Sequence, residues 1–394
     1  MKVVVYAICK NEEAHIKRWY ESMKEADEIY VLDTGSSDNS VNLLKSLGVN
    51  VKEKKYEVFN FDVARNDALE MVPENVNICV STDLDEVFTK GWRRELERIW
   101  KSDTDRVKYN LNFSFNSENE GVMSYYISKI HTRKNYKWVN SIHEVLVFTL
   151  DRTENVIESD KININHYPDR EKNRDFYLDL LIKEVENNPS DERNLHYLGR
   201  EYMYKSEFNK SIDTLIKHYN IATWNEEKAS SCRYISYCYV NMKRPLEAEM
   251  WIKKSIEIMP EVREGYVLLG MLYYEEKRYL ESIEEMLKAS SIKDKSTTYI
   301  NEEYAWNENI YDVLSLDYFY INDIDKAIEN VKKAMEINPE NERIKNNYEI
   351  MKSAKNGWIW HFLRKFLRKI SRKVRIKKDF SRFLSNKYIR GDKT

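Results

Sequence analysis

Chain breakers are scarce in this sequence. Nine glycines and six prolines among 394 residues fall well below the usual ~7% and ~5%, which predicts a chain rich in helix. Four cysteines, Cys9, Cys79, Cys232 and Cys238, form no C-x-x-C pair and no metal-finger spacing. That usage speaks against a disulfide framework and fits a reducing compartment, so a cytoplasmic location is expected. Cys9 and Cys79 fall in apparent strands and read as small core residues. No run of ~18 apolar residues occurs, and no membrane-spanning helix is expected. The opening run Val3–Ile8 is too short, and its sequel Lys10-Asn11-Glu12-Glu13 too polar, for a signal peptide. A G-x-x-x-x-G-K-[ST] phosphate loop is absent as well.

What is present is a polar globular chain, 42% hydrophobic and 33% charged, long enough for two or three domains with cores of their own. Its net charge of −2 hides a strong asymmetry. Residues 358–394 hold thirteen Lys/Arg against Asp379 and Asp392, a net +11 that leaves −13 for the rest.

Three textures follow one another. Over residues 1–168, strands and helices alternate: Val3–Ile8, Glu12–Lys24, Glu28–Leu32, Ser40–Leu47, Val49–Tyr56, Phe61–Met71, Val76–Ser81 and Gly91–Trp100. Alternation of this kind indicates parallel βαβ units. From Arg106 to about His166 strands dominate, at Val107–Phe115, Tyr125–Thr132, His143–Leu150 and Lys161–Asn165, which predicts an appended antiparallel or mixed sheet. Residues 169–356 are helical and repetitive. Leu198-Gly199, Ile235-Ser236, Leu269-Gly270 and Leu314-Ser315 each precede an aromatic three residues after the small residue, and a second small residue follows further on. The offset from Ser236 to Gly270 is 34 residues, the tetratricopeptide period. Longer offsets elsewhere predict an insertion around Lys293–Asn307. Residues 357–394 form the basic tail.

The chemistry concentrates at Ile78-Cys79-Val80-Ser81-Thr82-Asp83-Leu84-Asp85-Glu86, an apolar strand that ends in carboxylates. If the chain stays extended, Asp83 and Asp85 share a side just beyond the strand's carboxyl end, where open α/β sheets bind ligands. Two such carboxylates suit a hard divalent cation holding a diphosphate; turn and helix-cap chemistry is the alternative use of the same residues. A second cluster, Asp33-Thr34-Gly35-Ser36-Ser37-Asp38, ends the second strand. Asp33 there either builds the turn or accepts hydrogen bonds from a ribose or base.

Four motifs occur in order: Ala7-Ile8-Cys9-Lys10-Asn11-Glu12-Glu13, Val31-Leu32-Asp33-Thr34-Gly35-Ser36-Ser37-Asp38, Val63-Ala64-Arg65-Asn66 and Thr82-Asp83-Leu84-Asp85-Glu86. In this order and spacing they resemble family 2 glycosyltransferases of the GT-A fold. With the repeats that follow, the chain resembles the subgroup that joins such a domain to tetratricopeptide repeats, which includes bacteriocin S-glycosyltransferases. The fold implied is a Rossmann-like mixed α/β sheet followed by an all-α solenoid. The resemblance assigns Asn11, Glu12 and Asp33 to the pocket for the uridine of a UDP-sugar, and Arg65 and Asn66 to the nucleotide or donor sugar. It makes Asp83 and Asp85 the Asp-x-Asp pair on Mg²⁺ or Mn²⁺, Asp85 being the more direct ligand. In Trp138-Val139-Asn140-Ser141-Ile142-His143-Glu144 it makes Glu144 the general base and His143 a contact of the metal or diphosphate. The resemblance makes His166 an alternative metal ligand. The implied reaction is metal-dependent, inverting glycosyl transfer to a peptide, protein or glycan.

Rival readings are a nucleotidyltransferase, whose Gly-rich basic loop is missing, and a repeat scaffold that binds a nucleotide-sugar without chemistry. Glycoside hydrolysis needs carboxylates on both sides of the bond, ~5–9.5 Å apart, not side by side. The repeats imply a gripping surface for the acceptor or a homodimer contact. In the tail, Trp358, Ile359, Phe362, Leu363, Phe366, Leu367, Ile370 and Val374 alternate helically with basic residues. Such a helix either rests on an anionic membrane surface, which would place the protein on the inner membrane face, or caps the repeats. Nucleic-acid binding is the weakest reading, because no recognised reader fold accompanies the charge.

Overall fold

A computed structural model describes residues 1–115, 121–168 and 176–355. They divide into two compact units, one built from residues 1–180 and 297–299, the other from 181–296 and from 300 onward. The basic tail lies outside the described residues.

In the first unit the strands alternate with helices as β1 (Val3–Cys9), α1 (Glu13–Met23), β2 (Glu28–Asp33), α2 (Ser40–Ser46), β3 (Asn50–Glu53), α3 (Phe61–Glu70) and β4 (Ile78–Ser81). There follow β5 (Glu86–Phe88), α4 (Trp92–Ile99), β6 (Arg106–Phe115), β7 (Gly121–Thr132), β8 (Tyr136–Val139), β9 (Val145–Phe148) and β10 (Val156–His166). The run of apolar residues in β1 reflects burial on both faces. Val3, Val5 and Ala7 join Ile16, Trp19 and Met23 of α1 and Trp92 of α4 in one core, while Val4 and Tyr6 join Ala68 and Leu69 of α3 in another. The main sheet has the order β3-β2-β1-β4-β7-β6-β10-β5. Strands β1 to β4 pair in parallel, β7 runs antiparallel to β4 and β6, and β10 is parallel to β6 but antiparallel to β5. The sheet is mixed, as the texture of residues 106–166 predicts. The short strands β5 and β8 are additions to that expectation.

Strand order reverses at β1, with β2 on one side and β4 on the other, so the crevice beyond their carboxyl ends is the switch point where such sheets bind ligands. A buried relay fixes this region. Trp138 Nε1 donates to the Tyr6 hydroxyl at 2.9 Å, which donates to His131 Nε2 at 2.9 Å, and His131 Nδ1 donates to the Thr132 carbonyl at 2.7 Å. Burial pushes the His131 pKa down to about 3, so the ring is neutral and every member of the relay is satisfied.

Helix α5 (Phe176–Asn187) runs across the boundary between the units, and the second unit stacks α6 (Glu192–Tyr204), α7 (Phe208–Ile221), α8 (Asn225–Asn241), α9 (Pro245–Ile258), α10 (Arg263–Glu275) and α11 (Tyr279–Ser291). After a 3₁₀ turn at Glu303–Ala305 come α12 (Asn309–Tyr320), α13 (Ile324–Ile337) and α14 (Glu342–Lys355). The helices pair as α6/α7, α8/α9, α10/α11 and α12/α13. Small residues sit where the paired helices close on each other: a Cβ on Gly199 would meet Leu215 at 2.4 Å, and one on Gly270 would meet Met286 at 2.9 Å.

Two features of this unit stand out from the repeat pattern. The long α11–α12 connection folds back on earlier helices. Arg233 of α8 donates to Glu302 at 3.2 Å and to the Ile300 carbonyl at 3.4 Å, Trp306 Nε1 donates to Glu264 of α10 at 2.9 Å, and the Arg263 guanidinium lies 3.9 Å from the Trp306 ring centre. The second feature is Asp317 of α12, fully buried. The Ser282 hydroxyl donates to its Oδ2 at 2.6 Å, and its Oδ1 has no partner among the described residues. Burial pushes its pKa up to about 8, with the Ser282 hydrogen bond opposing only in part.

Candidate functional site

At the mouth of β1 and β2 the two loops are zipped together. Asn11, at a left-handed φ of +56°, donates its amide to the Ser36 hydroxyl at 2.8 Å and accepts from the Ser37 amide at 2.7 Å. The Glu12 amide donates to Ser40 at 2.9 Å. Asp33 accepts the Gly35 and Ser36 amides at 2.9 Å each, and its other oxygen accepts the Ser36 hydroxyl. Asp33 therefore builds its own turn. Asn11, Glu12 and Asp33 do converge on one edge of the switch-point crevice.

The carboxylate segment departs from the extended geometry expected of it. Strand β4 stops at Ser81, and Asp83-Leu84-Asp85 forms a turn closed by the Glu86 amide donating to the Asp83 carbonyl at 3.1 Å. The alternation argument for a shared cation between Asp83 and Asp85 fails for that reason, and the two carboxylates have different partners. Asp83 Oδ1 accepts from Arg65 at 2.7 Å and its Oδ2 from Lys129 at 3.1 Å. Asp85 Oδ2 lies 3.2 Å from His166 Nε2 of β10. Glu86, fully buried, caps the turn: one oxygen accepts the Asp83 amide at 2.9 Å and the other accepts from Lys129 at 3.1 Å.

Charge balance explains the titration of this cluster. Burial alone would raise the Asp83 pKa, but the Arg65 and Lys129 charges hold it well below the usual carboxylate range. Burial would lower Lys129, and Asp83 and Glu86 outweigh it. Burial raises Glu86, which Lys129 offsets only partly. For His166, burial pulls down, yet the hydrogen bond and charge of Asp85 leave the imidazole above its ordinary value.

Arg65 links this turn to the β8–β9 hairpin. It is 4% exposed, its Nε donates to Glu144, and its guanidinium lies 5.0 Å from the Trp138 ring centre. One helical step rotates the side chain by about 100°, and Asn66 goes elsewhere: its amide accepts from the Trp138 nitrogen at 2.9 Å and donates to the Trp138 carbonyl at 2.8 Å. Asn66 is thus a clamp on β8, with both ends of its amide engaged by backbone. His143, buried at a left-handed φ of +52°, lies with its ring centre 6.4 Å from that of Tyr177. The structure brings together Arg65, Asp83 and Glu144 in one ion-paired group, and Asp85 with His166 in another. Lys129 and the capping role of Glu86 escape the sequence reading. The available signal for Lys129 is that it is the one lysine or arginine, with no Asp or Glu, on the strand Gly121–Thr132.

No set of three or more His, Cys, Asp or Glu side chains among the described residues is arranged to hold a metal ion. The donor chemistry of Asp85 and His166 nonetheless fits a divalent cation that takes its remaining ligands from diphosphate oxygens and water. Asp83, with both oxygens on cations, does not offer itself as the second ligand.

Residues 4–152 match the family model for glycosyl transferase family 2. Over most of its length the first unit is therefore similar to family 2 glycosyltransferases. Residues 264–296 and 309–341 match the tetratricopeptide repeat model. The chain is 29% identical over 162 residues to an uncharacterized glycosyltransferase of Rickettsia bellii (strain RML369-C) and 28% identical over 162 residues to one of Rickettsia typhi (strain ATCC VR-144 / Wilmington). Each match covers 38% of this chain and 54% of the relative, so the chain spans about half the length of the curated relatives it matches. Among solved structures, MamA is similar at 21% identity with a TM-score of 0.35, over 41% of this chain and 87% of that one. YrrB, described as a TPR protein with an unusual peptide-binding site, is similar at 17% identity with a TM-score of 0.34, over 44% of this chain and 81% of that one. No helix among the described residues is long and apolar enough to cross a membrane.

Proposed function

We propose that the protein transfers a glycosyl group from a nucleotide-sugar, a UDP-sugar foremost, to a peptide, protein or glycan, with inversion at the anomeric carbon. The observation that carries this reading is the carboxylate turn at the carboxyl end of β4, set beside His166 and Arg65 within a domain that matches family 2 glycosyltransferases. Asp85 and His166 would hold Mg²⁺ or Mn²⁺, which when bound supplies positive charge against the departing diphosphate. The protein's own residues do the rest. Arg65 holds Asp83 and Glu144 in fixed orientation from a buried position. Glu144, at the β8–β9 hairpin, takes the proton of the acceptor hydroxyl or thiol as general base. The Asn11–Glu12 and Asp33–Ser37 loops line the nucleotide side of the crevice. The repeats bind the acceptor.

A screen of UDP- and GDP-sugars for released nucleoside diphosphate, with and without Mn²⁺, followed by mass spectrometry of offered peptides, tests this. Metal-independent turnover, or full activity in Asp85→Ala, would remove the metal assignment. Nucleotide-sugar binding without any diphosphate release would leave a binding scaffold instead.

A further inference from the structure

The carboxylate turn already contains a cation. Lys129 of β7 places its ammonium 3.1 Å from Asp83 Oδ2 and 3.1 Å from Glu86 Oε1. It gets there through register: Val80 of β4 faces Ile130, which brings Lys129 level with Ser81, the last residue of β4. Its surroundings resemble those of a hard ion. Glu86 is fully buried, Asp83 is anchored on its other oxygen by Arg65, and Tyr109 of β6 is buried beside Glu86 and Lys129. The Tyr109 hydroxyl has no hydrogen-bond partner among the described residues. Two carboxylate oxygens thus hold one positive charge between them. Two carboxylates converging with no cation between them would repel.

We propose that Lys129 is a built-in cation: its ammonium fills, between Asp83 and Glu86, a position that would otherwise take a divalent ion, and so confines metal binding to the Asp85–His166 side. The second half rests on the metal reading given above; the first half stands on the Lys129 geometry alone. Lys129 is a positioning residue here, because it acts through Asp83 and Glu86. Removing a lysine that only sits near a cation site takes away a positive charge and tightens the binding of the ion already held there. Removing a lysine that itself occupies a cation position admits a further ion.

The probe is Mn²⁺ alone, followed by electron paramagnetic resonance of the free ion, on the full chain and its variants. The native chain is expected to bind Mn²⁺ at Asp85, with at least a tenfold loss in Asp85→Asn and a change of less than twofold in Asp83→Asn. Lys129→Met is expected to take up one Mn²⁺ more per chain than the native protein. Adding Asp83→Asn to it cancels the gain, and Lys129→Arg behaves as the native chain. No additional Mn²⁺ per chain in a folded Lys129→Met, checked by its thermal transition, overturns the proposal. If Lys129→Met does not fold, Asp83→Asn in the otherwise native chain decides: retained binding supports the proposal and a tenfold loss overturns it. Absence of Mn²⁺ binding in the native chain, together with a gain in Lys129→Met, would sink the metal reading while supporting the built-in cation.

Discussion

Asp317→Asn is expected to make the repeat unit more stable at neutral pH. The wild-type carboxyl is fully buried, has the Ser282 hydroxyl as its one hydrogen-bond partner among the described residues, and has its pKa raised from 3.8 to about 8. Between these two values the folded protein keeps a proton that the unfolded chain has released. Stability therefore falls as pH rises through this window, by about 1.4 kcal/mol per pH unit, and levels off above the folded-state pKa. At pH 7 the accumulated cost is about 4 kcal/mol relative to acid conditions. Asparagine keeps the shape and an oxygen for Ser282 but cannot ionise, while its NH₂ arrives without a ready acceptor. The expected net gain at pH 7 to 8 is about 2–4 kcal/mol once that desolvation is counted. Urea unfolding of the full chain from pH 4.5 to 8.5, with hydrogen exchange read on α11 and α12, measures both curves. The wild type should lose stability toward high pH and the variant should not. Parallel pH profiles, or a variant less stable than wild type at pH 8, would refute the reasoning.

Other expectations follow from the same contacts. Arg65→Leu removes the shared partner of Asp83 and Glu144, and should lower the stability of the first unit by about 3–5 kcal/mol in chemical denaturation, as for other broken buried ion pairs. Gly199→Ala puts a methyl group against Leu215 and should cost about 1–3 kcal/mol in the repeat unit by the same method. Asn66→Ala should release β8, seen as faster amide exchange at Trp138, whose nitrogen it now holds. His166→Ala should weaken Mn²⁺ binding, and an Asp85→Asn change on top of it should add less than it does alone, because the two side chains act as one site.

The alternation of the first unit was legible because strands such as β1 and β4 are apolar on both faces and helices such as α1 bury one side, patterns that local sequence carries well. The residues of β5 and β8 span three and four positions, too few for a period to declare itself. The site was legible only as far as its motifs reach. Arg65 and Asn66 stand side by side in sequence, yet the helix turns one toward the carboxylates and the other toward Trp138, and no spacing rule separates them. Asp83 and Asp85 read as an extended pair because β4 seemed to continue. The Glu86 carboxylate, by capping the Asp83 amide, folds that stretch into a turn instead. Lys129 was hidden because its position depends on β7 pairing with β4, a contact between residues 50 apart in the chain.

Solenoids usually fray from their ends, since each module leans only on the next one along. Here the chain between α11 and α12 doubles back to grip Arg233, two modules earlier. That strap ties non-adjacent modules into a single melting block. A protein so fastened should come apart in one step over α8 to α12 rather than peel, and cutting the strap with a protease at a single peptide bond should be enough to restore ordinary peeling.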